Sequence, residues 1–260
     1  DDMKYKWIAV SAGVLLLVLS ATNLSAVLTD EHLRYHQHEQ RPAYTPCADH
    51  GDETLCSHLP LVLINTGGEA IPGVPIPDDD GDRQDDSFTT TADGGTLLRA
   101  SIAVVDHVNG NNHPADPPTL ESTIDIRVRG NSSRYFDKHS YLIKTLTDNG
   151  ASSRDVAMLG MQEFDEWALY GPYLDKSLIR NYMWYNLAGE LMDYAPNVRF
   201  CEVLLNGEYQ GLYVMTETIS SAVDARLKLT EPSKDTIQTS YALRLDRGSG
   251  NEVKNIETFS

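Results

Sequence analysis

Two basic residues near the start of the clearest helical pattern could bind an anion. Lys176 and Arg180 are four positions apart, within a stretch whose apolar residues have helical spacing. Like charges at that spacing repel each other, and the positive end of the helix dipole opposes both, by roughly a few tenths of a kcal/mol each. A bound anion would remove this conflict. Solvation or pairing with acidic neighbours would remove it equally well, so both interpretations stay open.

A third basic residue lies on an apolar strand face. In SYLIKTL (140–146), Lys144 shares its face with Leu142 and Leu146. A charge in such a place needs an anionic partner, unless its strand lies at the edge of a sheet. The pattern therefore predicts either an ion pair for Lys144 or an edge strand.

Alternating and apolar runs predict the elements that position these groups. IDIRVR (124–129) alternates strictly, which predicts a half-buried strand. Asn206-Gly207 between two strand-like runs predicts a hairpin with a type I′ turn. The helix is expected to have Asp175 as its N-cap and to end before Pro196. Further strands are predicted at 59–64, 96–105 and 241–246 and in the segment that begins at Glu166. This order indicates an α+β fold, with one main helix packed on an antiparallel sheet.

The charge of the chain is unevenly distributed and excludes one class of partner. The formal net charge is -17, and 15 acidic residues stand against two basic ones between Cys47 and Asp125. Such a surface repels phosphate backbones, so nucleic acid is not expected as a partner. PDDDGDRQDD (77–86) is similar to a calcium loop, but Ile76 falls where the first carboxylate belongs. It is therefore interpreted as an acidic, mobile surface loop.

The N-terminal segment indicates export. Residues 7–28 carry no charge, and 22 residues can cross a membrane as a helix. Lysines precede the segment and acidic residues follow it, which predicts a cytoplasmic tail at 1–6 and an exported remainder. A cleaved signal peptide is the alternative, because small residues near Ser25 offer a cleavage site. The protein is thus expected to be membrane-anchored through 7–28, or secreted after cleavage.

The three cysteines fit an exported chain. Cys47 and Cys56 lie in a polar linker (29–57), where oxidising conditions favour a disulfide that would contribute about 2–3 kcal/mol. Cys201 lies in an apolar run and is interpreted as a buried hydrophobic residue. No Cys/His spacing indicates a zinc site, and the histidines at 32–38 are interpreted as solvated.

Three long blocks of sequence resemble one protein family. IRVRGNSSRYFDKHSYLIK (126–144), WALYGPYLDKSLIRNYMWYNLA (167–188) and YAPNVRFCEVLLNGEYQGLYVMTETI (194–219) resemble successive blocks of the CotH (spore coat protein H) kinase family. The stretch from Leu59 to Glu121 resembles the leading β region of membrane-anchored members. The resemblance implies a β-rich region at 58–123 and an atypical protein-kinase-like nucleotide lobe at 124–260.

The resemblance also implies roles for particular residues. Such kinases use ATP and a divalent metal, Mg or Mn, to phosphorylate Ser or Thr of proteins. Glu190 on the helix would orient one of the cations, by analogy with typical kinases. The nucleotide-binding residues implied are a phosphate-facing loop (Arg129, Gly130, Asn131, Ser132, Ser133), three cations (Lys144, Lys176, Arg180) and a segment beside the adenine (Met215 to Glu217).

One departure from the family pattern leaves two functions open. The catalytic and metal-binding aspartates of the family have no matching block, so they are expected beyond Ser260, with no metal site and no activity in this chain alone. The leading interpretation is therefore a kinase in the complete protein. The alternative is a non-catalytic scaffold of the cell surface or spore coat, which export favours because ATP is scarce outside cells.

Overall fold

The computed structural model describes residues 34–41, 43–45, 47, 55–76, 87–220 and 226–229. The chain divides into two compact units, Asp1–Ile219 and Ser220–Ser260, and all the structure below belongs to the first. The apolar segment 7–28, the acidic loop 77–86 and the strand expected at 241–246 lie outside the described residues. None of the helices within the described ranges has the length and apolar composition that crossing a membrane requires.

The described fold is a closed seven-stranded β-barrel, so the predicted α+β arrangement is wrong. The order around the barrel is β1-β2-β3-β4-β5-β7-β6. Two α-helices occur among the described residues, α1 (Gln37–Gln40) and α2 (Arg180–Leu191). The strands are β1 (Leu61–Asn65), β2 (Leu98–Val105), β3 (Leu120–Arg129), β4 (Ser140–Leu146), β5 (Glu166–Tyr170), β6 (Val198–Leu205) and β7 (Glu208–Glu217).

The strand β1 closes the barrel because it pairs on both of its edges. It pairs antiparallel with β2 and parallel with β6, with Leu61 opposite both Val105 and Glu202. The apolar run at 59–64 predicts a buried strand, but it does not show a second partner some 140 residues away. The barrel also takes strands from both sides of residue 124, since β2 pairs with β3.

Alternation along β3 separates an apolar inner face from a polar outer face. Ile124, Ile126 and Val128 of β3 point inward and are at most 1% exposed. The intervening residues of β3, from Asp125 to Arg129, point outward and are half-buried. Trp167 of β5 is fully buried in the same interior. The outer face of β3 and β4 is therefore where Arg129 and Lys144 lie.

The hairpin forms as predicted, whereas the helix begins later than predicted. Asn206 and Gly207 both have positive φ, 52° and 85°, as a type I′ turn requires. The helix α2 begins at Arg180 because Leu178 has a φ of 63°, outside the helical range. The Asp175 carboxylate nevertheless accepts the N–H of Arg180 at 2.8 Å, which satisfies one donor at the helix start.

The helix α2 packs on the outside of β6 and β7. Tyr182 and Phe200 stack with ring centroids 4.3 Å apart, and Val198 and Val214 complete this apolar cluster. Half-buried Tyr170 and Tyr185 border it. The helix thus brings its first turn next to the outer face of β5.

Candidate functional site

An ion pair holds the lysine of β4 on the outer face of the barrel. Lys144 Nζ lies 2.9 Å from Glu166 Oε2, and the two residues are opposite each other on β4 and β5. This confirms the anionic partner expected for Lys144. The edge-strand alternative is wrong, since β4 pairs with β3 on its other side.

Arg129 ends β3 on the same outer face. Its side chain is half-buried, and among the described residues it makes neither a hydrogen bond nor an ion pair. Burial lowers the pKa of its guanidinium and the charge of Arg127 lowers it further, while Tyr185 and Glu166 raise it. A partly buried charge without a partner is unfavourable. The position is therefore suited to an anion.

The loop that follows β3 is tightly folded around a glycine. Gly130 has a φ of 118°, and a Cβ at this position would meet Ser133 Oγ at 1.9 Å. A 3-10 turn (Ser132–Tyr135) follows, and Arg134 Nε donates to the Gly130 carbonyl at 2.6 Å. Only glycine fits this loop, and Asn131 and Ser132 remain exposed beside Arg129.

Two tyrosines connect the start of α2 to Arg129. Burial raises the pKa of Tyr170, Asp175 and Tyr185 raise it further, and Arg180 lowers it. Tyr185 in turn raises the pKa of Arg129. Arg180 Nε lies 3.6 Å from Asp175 Oδ1, so this cation is paired but largely exposed. Arg129 lies opposite Ser140, four residues along β4 from Lys144. We call Arg129, Lys144, Glu166 and Arg180 together the cationic face.

The sequence around the cationic face matches a known protein family. The family described as CotH kinase protein matches residues 126–258, which include the whole cationic face. The chain belongs to this family. It is also 31% identical over 108 residues to inner spore coat protein H of Bacillus subtilis (strain 168), over 42% of this chain and 27% of that protein. The chain thus spans about a quarter of the length of this curated relative.

Lys176, another cation of the CotH-matched region, lies beside the glycine loop. Its ammonium donates to the Tyr173 carbonyl at 2.8 Å and lies 4.7 Å from the centre of the Tyr173 ring. That ring stacks on Phe136, which directly follows the 3-10 turn, with centroids 4.9 Å apart. Lys176 is therefore near the loop, although its charge is directed at Tyr173.

The other predicted nucleotide-binding side chains lie away from the cationic face. Met215 and Glu217 point into the barrel and are 0% and 5% exposed. The Glu217 carboxylate accepts the N–H of Asn197 at 2.9 Å. Glu190 of α2 lies 2.7 Å from His36 Nε2, so the ion pair of Lys144 is made by a strand residue and not by the helix.

The cysteines divide into a buried one and an adjacent pair. Cys201 is fully buried and burial raises the pKa of its thiol, which confirms the prediction of a hydrophobic role. Cys47 and Cys56 are free thiols with their Sγ atoms 3.3 Å apart. The disulfide predicted between them is not formed in this structure, but the two side chains are adjacent as that prediction requires.

Glu166, Tyr170 and Tyr185 were not predicted as site residues from the sequence. Glu166 could have been found, because Lys144 was expected to have an anionic partner and Glu166 begins the next strand along the chain. The tyrosines at 170 and 185 gave no such signal, because aromatic residues at helical or strand spacing are usually part of a core. Their position beside Arg129 becomes visible only when α2 is placed on the sheet.

Proposed function

We propose that the cationic face binds the phosphates of ATP, and that the complete protein transfers phosphate to Ser or Thr of proteins. The observation that supports this most is Arg129, whose half-buried guanidinium makes no hydrogen bond and no close ion pair with a described residue, although Tyr185 and Glu166 attract it electrostatically. An anionic oxygen would supply the missing hydrogen bonds, and such charge-assisted bonds are among the strongest that a side chain makes. Membership of the CotH kinase protein family supports the same reaction.

The residues of the cationic face offer a polyphosphate both positive charge and hydrogen-bond donors. Arg129, Lys144 and Arg180 would neutralise phosphate charge, and the exposed Asn131 and Ser132 would donate hydrogen bonds to its oxygens. Lys144 is held in place for this role by Glu166, at 2.9 Å. ATP would supply the transferable phosphoryl group.

The described carboxylates of this face do not fit the divalent metal. Asp125 is paired with Arg99 at 2.7 Å, and Glu166 is paired with Lys144. A carboxylate that neutralises a cation has less charge to offer to Mg or Mn. We therefore expect the metal ligands and the catalytic aspartate to lie outside the described residues.

The test is phosphate transfer by the complete protein with the substitution Arg129→Gln. We expect ATP-dependent incorporation of phosphate into a protein acceptor to be lost, and ATP affinity to fall about tenfold to hundredfold, as for a hydrogen bond to a charged group. Lys144→Ala should also abolish incorporation. Both variants should keep the fold, because the two side chains lie on the outer face.

Arg154→Gln is the matched control. Arg154 is also a half-exposed arginine, 3.7 Å from Asp148 at the end of β4 farther from Arg129, and its loss should leave ATP binding and transfer unchanged. Unchanged transfer in both Arg129→Gln and Lys144→Ala would show that the cationic face is not the nucleotide site.

A second proposal concerns the place where the protein acts. The relative from Bacillus subtilis is named an inner spore coat protein, which supports a location in the spore coat or outside the cell. The apolar segment 7–28, with lysines before it and acidic residues after it, also supports export. In this role the fold could also act as a binding scaffold without catalysis. Fractionation of the native host with an antibody would test the location, and recovery only from the cytoplasm would contradict it.

A further inference from the structure

Two cysteines and a histidine that are not part of the cationic face lie close together. The Sγ atoms of Cys47 and Cys56 are 3.3 Å apart, and His113 Nε2 lies 3.5 Å from Cys47 Sγ. All three donor atoms lie within 4.8 Å of one another. We call Cys47, Cys56 and His113, with their neighbours Asn111 and Asp116, the thiol corner.

Main-chain pairing fixes the two segments of the thiol corner to each other. The N–H groups of Ser57 and Asn112 each donate to the other residue's carbonyl, at 3.1 and 2.7 Å. The fully buried Asn112 side chain donates to the Leu59 carbonyl at 2.9 Å and accepts the His107 N–H at 2.6 Å. The residues that follow Cys56 and precede His113 are therefore held in register before any ligand binds.

The histidine of the thiol corner is oriented by a carboxylate. Asp116 Oδ2 lies 3.1 Å from His113 Nδ1 and also accepts the His113 backbone N–H at 2.8 Å. A proton on Nδ1 leaves the Nε2 lone pair directed at the sulfur atoms. The arrangement in which a carboxylate orients a histidine and its other nitrogen binds a metal is common in zinc proteins.

A single amide donates to both sulfur atoms. Asn111 Nδ2 lies 3.2 Å from Cys47 Sγ and 3.1 Å from Cys56 Sγ. The Asn111 amide thus holds the two sulfur atoms side by side, and cysteines bind metals as thiolates. The amide is itself held by the Thr45 carbonyl at 2.6 Å.

We propose that the thiol corner binds one Zn²⁺ ion through Cys47, Cys56 and His113, with Asp116 as a positioning residue. Two thiolates and an imidazole are ligands that zinc prefers. Sulfur atoms that share a tetrahedral zinc are about 3.8 Å apart, given bonds of about 2.3 Å, so a small movement is enough for binding. The fourth position is open to water.

The two thiols can form a disulfide instead of binding zinc. A substitution of His113 distinguishes these two outcomes. A disulfide needs only the cysteines, whereas the zinc site needs the histidine as well. We therefore expect His113→Ala to abolish zinc binding as completely as Cys47→Ser or Cys56→Ser does. His38→Ala is the matched control, because His38 is exposed and lies outside the corner.

The experiment uses the whole 260-residue chain, purified without chelator, with metal content measured by plasma mass spectrometry and Co²⁺ as a spectroscopic probe. We expect about one zinc per chain in the wild type and in His38→Ala, and sulfur-to-cobalt charge-transfer bands after exchange. Each of the three ligand variants should lose both signals. Asp116→Asn should keep the bands but bind zinc about 10- to 100-fold more weakly in a competition titration.

Two results would overturn the proposal. One is a Cys47–Cys56 disulfide in the isolated wild-type protein, found by mass mapping, together with no zinc uptake after reduction. The other is full zinc occupancy in His113→Ala, which would place the metal elsewhere. A circular dichroism spectrum for each variant separates loss of the ligand from loss of the fold.

Discussion

The cationic face and the thiol corner are assembled in opposite ways. The face takes its charges from neighbouring elements between Arg129 and Arg180, within the region that matches the CotH kinase protein family. The corner joins Cys47 and Cys56 to residues 107–116, which follow Cys56 by more than 50 residues, and all of these lie outside that region. The face has a half-buried arginine that makes no hydrogen bond through its side chain, while the corner has three metal-binding atoms already close together. The comparison shows that a site can be prepared either by unpaired charge or by convergent ligands.

The largest loss of folding stability is expected for a substitution in the barrel that supports both regions. Leu61 of β1 is fully buried at the seam between β2 and β6, so Leu61→Ala should lower the free energy of unfolding by about 2–5 kcal/mol. Urea unfolding measures this, with the exposed Leu191→Ala within about 0.5 kcal/mol of wild type as the control. A small loss in Leu61→Ala would mean that the seam does not hold the barrel closed.

An intermediate effect should be confined to the thiol corner. Asn112→Ala leaves the Leu59 carbonyl and the His107 N–H without their buried partner, which should cost about 1–3 kcal/mol. Zinc affinity should fall while ATP affinity stays unchanged. Asn149→Ala, in an exposed turn, is the control for both titrations. An equal loss of zinc and ATP affinity in Asn112→Ala would show that the two regions are coupled.

The smallest effect is expected for the ion pair of the cationic face. Lys144 and Glu166 are 39% and 29% exposed, so solvent screens their attraction. A double-mutant cycle with Lys144→Gln and Glu166→Gln should give a coupling free energy below about 1 kcal/mol. A coupling well above that value would mean that the face is drier than its exposure indicates, and that the pair stabilises the barrel as well as positioning Lys144.

The strands could be predicted from the sequence, but their closure into a barrel could not. The strand at 140–146 and the Asn206-Gly207 hairpin depend on local alternation and turn chemistry, and both form as expected. The pairing of β1 with β6 depends on residues far apart in sequence, and an apolar run such as 59–64 does not identify its partners. The late start of α2 is a local feature instead: the Asp175 carboxylate accepts the N–H groups of Ser177 and Arg180, and Leu178 between them has a positive φ.

The functional residues also divide into those that a local pattern predicts and those that only distant contacts bring together. Lys144 was expected to have an anionic partner, because a single strand face showed the conflict that Glu166 resolves. The spacing of the cysteines and histidines gives no indication of a zinc site, because His113 follows Cys56 by more than 50 residues. That residue meets the cysteines only because the Ser57–Asn112 pairing brings the two segments together. Local conflict is visible in a sequence, whereas convergence of distant segments is not.

The most direct measurement is the calorimetric titration of ATP into the chain, as wild type, Arg129→Gln and Arg154→Gln. If Arg129 is the anion site of the cationic face, the first substitution weakens binding about tenfold to hundredfold and the second leaves it unchanged. Equal affinity in all three proteins, or no binding by the wild type, would contradict the proposal that this face binds nucleotide.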